Sequence, residues 1–180
     1  MLPAAFIVIL SLILSVRLAK MDYYGAISSG YDELHREEQL AKYNIVKSVL
    51  KPKKSCTLLD VACGTGIGRV FGCKVTGVDS SAGILKRCSG IKKVLAPAEK
   101  LPFPDKSFDV VTCITAIHNF NDIKQAVSEM KRVSKGIVVI SVLKKSARRD
   151  SIVRLLRRSF AVGRVVDEDR DTVLFLHNKI

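Results

Sequence analysis

Short apolar runs alternate with turn-forming residues along most of this chain. Runs at residues 57–62, 74–78, 93–96, 108–113 and 136–142 are each too short for a helix and are bounded by polar, Gly or Pro positions. They read as strands. Residues 81–88, 121–133 and 147–160 instead carry helical patterns. Strands alternating with helices predict βαβ units and a parallel sheet. Upstream, residues 23–50 read as a helix after an irregular start. Asp32, Glu33, Glu37 and Glu38 lie early in it and Lys42 and Lys47 late, an order that complements a helix dipole, and Pro52 ends it.

The alternation breaks near the C-terminus. Residues 162–166 and 172–177 are two β-like runs joined by five polar residues, 167–171, which predicts a hairpin. The expected fold is therefore α/β: a doubly wound, seven-stranded, mostly parallel sheet with one antiparallel strand and a C-terminal β-hairpin. It occupies one domain, residues 21–180, with no internal repeat.

Composition supports that picture. With 48% hydrophobic residues, 6% aromatics and no Trp, the core must be mostly Val, Ile and Leu, which suits a buried parallel sheet. The five cysteines are odd in number and never at CxxC spacing. They suggest neither a disulfide framework nor a metal cluster, and fit a reducing, cytoplasmic setting.

Residues 1–20 stand apart. The apolar run 2–16 would make a helix of roughly 22 Å, short of a bilayer core of about 30 Å. Three readings stay open: a start at Met21 with a mis-called extension, a membrane contact through residues 2–19, or a signal peptide. The absence of a leading positive charge and of a small-residue cleavage site fits the last poorly. As an anchor, with Arg17 and Lys20 following, the segment would leave the main domain in the cytoplasm.

The strongest chemical signal is Leu58-Leu59-Asp60-Val61-Ala62-Cys63-Gly64-Thr65-Gly66. A hydrophobic strand runs into a Gly-rich turn that opens a helix, where backbone can approach a ligand closely. Gly64, Gly66 and Gly68 lack the GxGxxG spacing of dinucleotide binders. Asp60, ahead of the glycines, would repel a pyrophosphate and suits a ligand bearing an ammonium and a sulfonium.

This run resembles motif I of the class I S-adenosylmethionine-dependent methyltransferases, closest to their ubiquinone/menaquinone-type (type 11) branch. Val75-Thr76-Gly77-Val78-Asp79-Ser80-Ser81 is similar to the second motif, whose acid accepts the ribose hydroxyls. Ala98-Glu99-Lys100-Leu101-Pro102-Phe103 resembles the adenine-flanking motif. Residues 108–111 and Thr115-Ala116-Ile117-His118-Asn119 resemble the fourth strand and the loop over the methyl group. The resemblance implies a cofactor, S-adenosylmethionine, met by Asp60, Ala62, Gly64, Thr65, Gly66, Asp79, Ser80, Ala98, Glu99 and Thr115. It makes His118 the candidate base and Tyr31 part of a lid, with Tyr23 and Tyr24 nearby. Two departures stand out: Pro97 replaces the usual acid before Ala98, and only nineteen positions separate Asp60 from Asp79, so the first helix must be short, about two turns.

The implied acceptor is a small molecule, quinone-like or lipid. No Asn/Asp-Pro-Pro-Tyr motif follows the fourth strand, which argues against amino-methylation of adenine or glutamine by that route. The usual insertion before the final hairpin is missing, which leaves the pocket open to a large substrate or a protein partner. The net charge of +13 favours an anionic partner, and residues 144–158, opening on Lys144 and closing on Arg158, carry seven basic residues against Asp150. That segment is a solvated helix face, an RNA contact or a lipid contact. An RNA or protein methyltransferase that needs a partner, or a catalytically silent cofactor-binding module, are the alternative functions. A nicotinamide dehydrogenase is disfavoured because no second domain remains for a hydride acceptor.

Overall fold

The computed structural model describes residues 28–179. Helix α1 (Ser28–Leu50) leads into strand β1 (Thr57–Val61), a 3₁₀ turn (Ile67–Phe71), β2 (Lys74–Asp79), α2 (Ala82–Arg87) and β3 (Lys92–Leu95). Then come β4 (Phe108–Cys113), a second 3₁₀ turn (Ile117–Asn119), α3 (Ile123–Val133), β5 (Ser134–Leu143), α4 (Arg149–Ser159), β6 (Phe160–Asp167) and β7 (Asp171–Asn178). All seven strands form one sheet in the order β3-β2-β1-β4-β5-β7-β6. β7 alone runs antiparallel to its neighbours β5 and β6. The doubly wound sheet and the closing hairpin are as the sequence predicts.

Strand periodicity assigns the two faces. Leu59, Val61, Val111, Val138 and Ile140 pack with Ala126, Val127 and Met130 of α3 and Ile152 and Leu156 of α4. Leu58, Val110, Val139, Val173 and Phe175 face the other way and pack with Tyr43 and Val46 of α1 and Phe71 of the 3₁₀ turn. The same parity puts Asp60, Thr112, Ser141 and Asp171 on the α1 side of β1, β4, β5 and β7, and all four are buried. The α1-facing surface is thus apolar toward the amino ends of the parallel strands and polar toward their carboxyl ends.

Two local expectations are corrected. The helix expected after the Gly-rich turn is only the five-residue 3₁₀ segment Ile67–Phe71, because Gly66 (φ 89°) and Gly72 (φ 68°) bracket it in left-handed conformations. The hairpin loop is shorter than its five polar residues suggest. Asp167 and Asp171 are strand residues, since Asp167 pairs with Thr172 and Asp171 with Leu143. Only residues 168–170 make the connection.

Close packing also explains Gly77 in the middle of β2. A Cβ there would lie 2.5 Å from Cys63 Sγ and 2.7 Å from Ile91 Cδ1. Gly77→Ala is therefore expected to destabilise the fold by about 2 kcal/mol, the usual range for overpacking. The check is a lower urea midpoint with an unchanged slope.

Candidate functional site

The crevice between the carboxyl ends of β1 and β4 is where the chain's winding reverses: from β1 the sheet grows one way through β2 and β3, and the other way through β4. Ligands of open α/β sheets bind at such a point. Here β1 delivers a turn with Ala62 at φ 57°, Gly64 at φ 56° and Gly66 at φ 89°. The Cys63 N–H donates to Val78 O at 3.0 Å and the Gly66 N–H to Cys63 O at 3.0 Å, so the turn is rigid. Thr65, within the turn, is buried. Close packing under the turn requires Gly68, whose Cβ would sit 2.7 Å from Asp60 Oδ2.

Asp79, at the end of β2, is half-buried and braces the turn. Its Oδ2 accepts the Gly64 N–H at 3.0 Å and its Oδ1 the Ser81 N–H at 2.9 Å. Burial pushes its carboxyl above the usual range, while the amides of Ser81, Gly64 and Ser80 hold it back. Each oxygen keeps lone-pair capacity for a ligand hydroxyl. Ser80 is exposed beside it.

Asp60 is placed differently from a ligand-lining acid. It is fully buried, and Oδ2 accepts the Tyr43 hydroxyl at 2.9 Å while Oδ1 accepts the Thr112 hydroxyl at 2.7 Å. Burial raises its carboxyl to about 6 against the pull of those two hydroxyls. Its charge lies under the turn, and the backbone of the turn stands above it.

On the adenine side, Ala98 is buried. Glu99 Oε1 accepts the N–H groups of Asn121 and Asp122 at 3.0 and 3.2 Å, tying that segment to the start of α3. Arg132 steadies the next residues by donating to the carbonyls of Phe103 and Leu101 at 2.8 and 3.0 Å. Thr115, just past β4, has φ 54°, an uncommon conformation for a β-branched residue. Its N–H donates to Ser141 Oγ at 2.6 Å and its hydroxyl to Asp171 Oδ2 at 2.8 Å. His118 lies in the following 3₁₀ turn, half-buried. Arg148 Nη1 donates to the carbonyls of His118 and Phe120 at 3.3 and 3.0 Å, so the start of α4 holds this loop.

The structure therefore gathers the Gly turn, Asp79, the residues after β3 and the segment after β4 along one edge. A bracing set that sequence reading missed underlies them: Lys42, Tyr43, Thr112, Ser141 and Asp171. Thr112 and Ser141 had a signal, each being a polar residue at an inward position of an otherwise apolar strand. By sequence Lys42 complements the dipole of α1; in the structure it is fully buried.

Comparison with known proteins fits this geometry. A family model described as a methyltransferase domain matches residues 59–140. The demethylmenaquinone methyltransferase of Chlorobaculum tepidum is 35% identical over 118 residues, 61% of this chain and 48% of that protein. The Thermotoga maritima enzyme of the same name is 30% identical over 149 residues, 72% of this chain and 64% of that protein. The matched part of this chain thus spans about half to two thirds of the length of these two curated relatives. The crystal structure of a SAM-dependent methyltransferase from Aquifex aeolicus superposes with a TM-score of 0.73 at 19% identity, covering 86% of this chain and 98% of that one.

The chain carries a class I S-adenosylmethionine-dependent methyltransferase domain of the type 11 branch. Its cofactor is S-adenosylmethionine, and the site has the chemistry for it. Two acids, the buried Asp60 and the half-buried Asp79, lie beside a turn whose Gly64 and Gly66 leave its backbone free of side chains.

The basic segment of this methyltransferase is partly used internally. Lys144 pairs with Asp167 at 3.3 Å and Arg149 with Asp150 at 2.9 Å. Arg154, Arg157 and Arg158 are exposed toward the far end of α4. Ile152 and Leu156 are buried on the opposite side, so the helix is amphipathic as predicted. Residues 1–20, with the membrane contact expected through 2–19, lie outside the described residues, as do Tyr23, Tyr24 and the side chain of Tyr31. Among the described residues no helix is long and apolar enough to cross a membrane.

Proposed function

We propose that this protein transfers the methyl group of S-adenosylmethionine to a small, quinone-like acceptor. The observation that supports it most is the shared edge: the Gly turn of β1, Asp79 of β2 and the Thr115–His118 loop of β4 meet at the switch point of the sheet, in a chain 30–35% identical to two demethylmenaquinone methyltransferases.

In this reading Asp79 accepts the ribose hydroxyls, with Ser80 beside it. Ala62, Gly64, Thr65 and Gly66 bring backbone against the amino-acid end of the donor. Asp60 supplies fixed negative charge from below rather than a direct contact. Ala98 and Glu99 shape the adenine side, Ala98 by packing and Glu99 by holding the segment to α3. Pro97 offers no side-chain acceptor, so base recognition falls to backbone groups and apolar packing. S-adenosylmethionine bound there would supply an activated methyl, whose bond to the sulfonium breaks in line as the acceptor attacks, leaving the neutral thioether. The protein's work is then alignment of acceptor and methyl, and the loop after β4 is placed to do it. Where the acceptor atom carries a proton, the His118 imidazole receives it.

The test is transfer of labelled methyl from S-adenosylmethionine by the full chain to demethylmenaquinol, with tRNA and a protein extract as parallel acceptors. Label in the quinol product supports the proposal. Label in tRNA alone favours the RNA reading that the exposed Arg154, Arg157 and Arg158 suggest. Tight donor binding with no labelled acceptor indicates a silent module or a missing partner.

A further inference from the structure

We infer that Asp171, the first residue of β7, is a positioning residue for methyl transfer: with Ser141 and Lys42 it sets the backbone of the segment after β4 in which Thr115 stands. The kinetic consequence rests on the methyl transfer proposed above; the structural one does not.

Four segments distant in sequence converge on this point. Asp171 and Lys42 are both fully buried. Asp171 Oδ2 accepts the hydroxyls of Thr115 and Ser141 at 2.8 and 2.7 Å, and Oδ1 accepts the Lys42 ammonium at 3.2 Å. Ser141 Oγ in turn accepts the Thr115 N–H at 2.6 Å. The remaining Lys42 protons go to Thr115 Oγ1 at 3.2 Å and Glu38 Oε1 at 2.6 Å. Glu38 Oε2 accepts Arg170 at 2.8 Å, so charges alternate in sign from Asp171 through Lys42 and Glu38 to Arg170.

A buried ion pair is a poor way to gain stability, since well-packed apolar residues do as well or better. Its satisfied hydrogen bonds do fix geometry. What they fix here is a β-branched residue at φ 54°, a conformation that persists only when its surroundings hold it. The strain sits where function would place it. Thr112, three residues earlier, pairs directly with Asp60 of β1, so the Thr115 segment flanks the Gly turn. In the reading proposed above, the acceptor approaches the donated methyl past this segment. Through Lys42 the same point also fastens α1, which the neighbouring Tyr43 fastens to Asp60.

Asp171→Asn in the full chain tests this, with Ser141→Ala as a second variant that leaves no buried charge unpaired. In both, amide exchange across residues 114–119 should quicken at least tenfold, with the central strands unchanged. Affinity for S-adenosylmethionine should stay within threefold, and kcat on demethylmenaquinol should fall at least tenfold. A double variant, Lys42→Met with Asp171→Asn, should regain stability but not kcat. Unchanged exchange at 114–119 in both single variants overturns the inference. So does a rise spread evenly over the chain, or recovery of kcat in the double variant, which would reduce the network to charge balance. If the unaltered protein binds S-adenosylmethionine but methylates no quinol, the acceptor reading fails, and the exchange result alone decides the role of Asp171.

Discussion

Asp79→Ala is expected to weaken binding of S-adenosylmethionine at least tenfold while the chain still folds. In the proposed site the carboxylate would offer charged acceptors to two ribose hydroxyls, and a hydrogen bond to a charged group contributes about 1.5–3 kcal/mol. Alanine also removes the acceptor of the Gly64 N–H at 3.0 Å and of the Ser81 N–H at 2.9 Å. The Gly turn then loses its brace, and the loss should exceed the ribose contacts alone. Asp79→Asn separates the two effects: its amide oxygen still accepts one backbone N–H, so the turn is partly held and the charge is gone. Calorimetric titration of both variants, read beside their melting curves, gives the ordering. Affinity that is the same in the alanine variant as in the unaltered protein means that the ribose lies elsewhere.

Asp60→Asn is expected to raise the stability of the fold at neutral pH. Burial raises the Asp60 carboxyl from 3.8 to about 6, so the folded chain holds this proton more tightly than the unfolded chain. The sign follows from linkage. The group favours the folded state fully below about pH 4, and that advantage is lost as pH rises to about 6. At neutral pH the ionised carboxylate then costs on the order of 3 kcal/mol relative to a neutral group. Asparagine fits the same space; its oxygen accepts the Tyr43 hydroxyl, and Thr112 can turn to accept its amide. The variant should therefore be more stable at pH 7, and its stability should vary less between pH 4 and 6. It should also bind the cationic donor several-fold more weakly, because the fixed negative charge beneath the turn is gone. Urea unfolding at pH 4.5 and 7 tests the first part and donor titration the second. Parallel pH profiles in the two proteins would show that the Asp60 carboxyl is not under strain. An acid kept where a neutral residue is more stable is the usual mark of a functional site.

Much of the architecture was readable because strand and helix periods are local. The run 108–113 appears as β4 with the same bounds, and the pattern at 147–160 as α4 (Arg149–Ser159). Errors arose where a neighbour intervenes. The short helix expected after β1 is 3₁₀, bracketed by Gly66 and Gly72 in left-handed conformations. Asp167 and Asp171 look like loop residues by polarity, yet pairing with Thr172 and Leu143 draws them into strands.

The candidate site divides along the same line. The order of Asp60, the glycines, Asp79, Ala98-Glu99 and the Thr115–His118 segment is written in the chain, because each lies at or near the carboxyl end of a strand that is itself recognisable. That information pointed to the family and to the edge of the sheet at which the donor is proposed to bind. Only the tertiary structure decided which of those residues face the crevice and which hold it up. Asp60 went inward because the strand period puts it beside Tyr43 and Thr112. Lys42, a charged residue of α1, went inward because Asp171, 129 residues away, faces it from the α1 side of the sheet. Contacts of that range depend on how β7 is inserted beside β5, and no local pattern of hydrophobic and polar residues encodes that insertion.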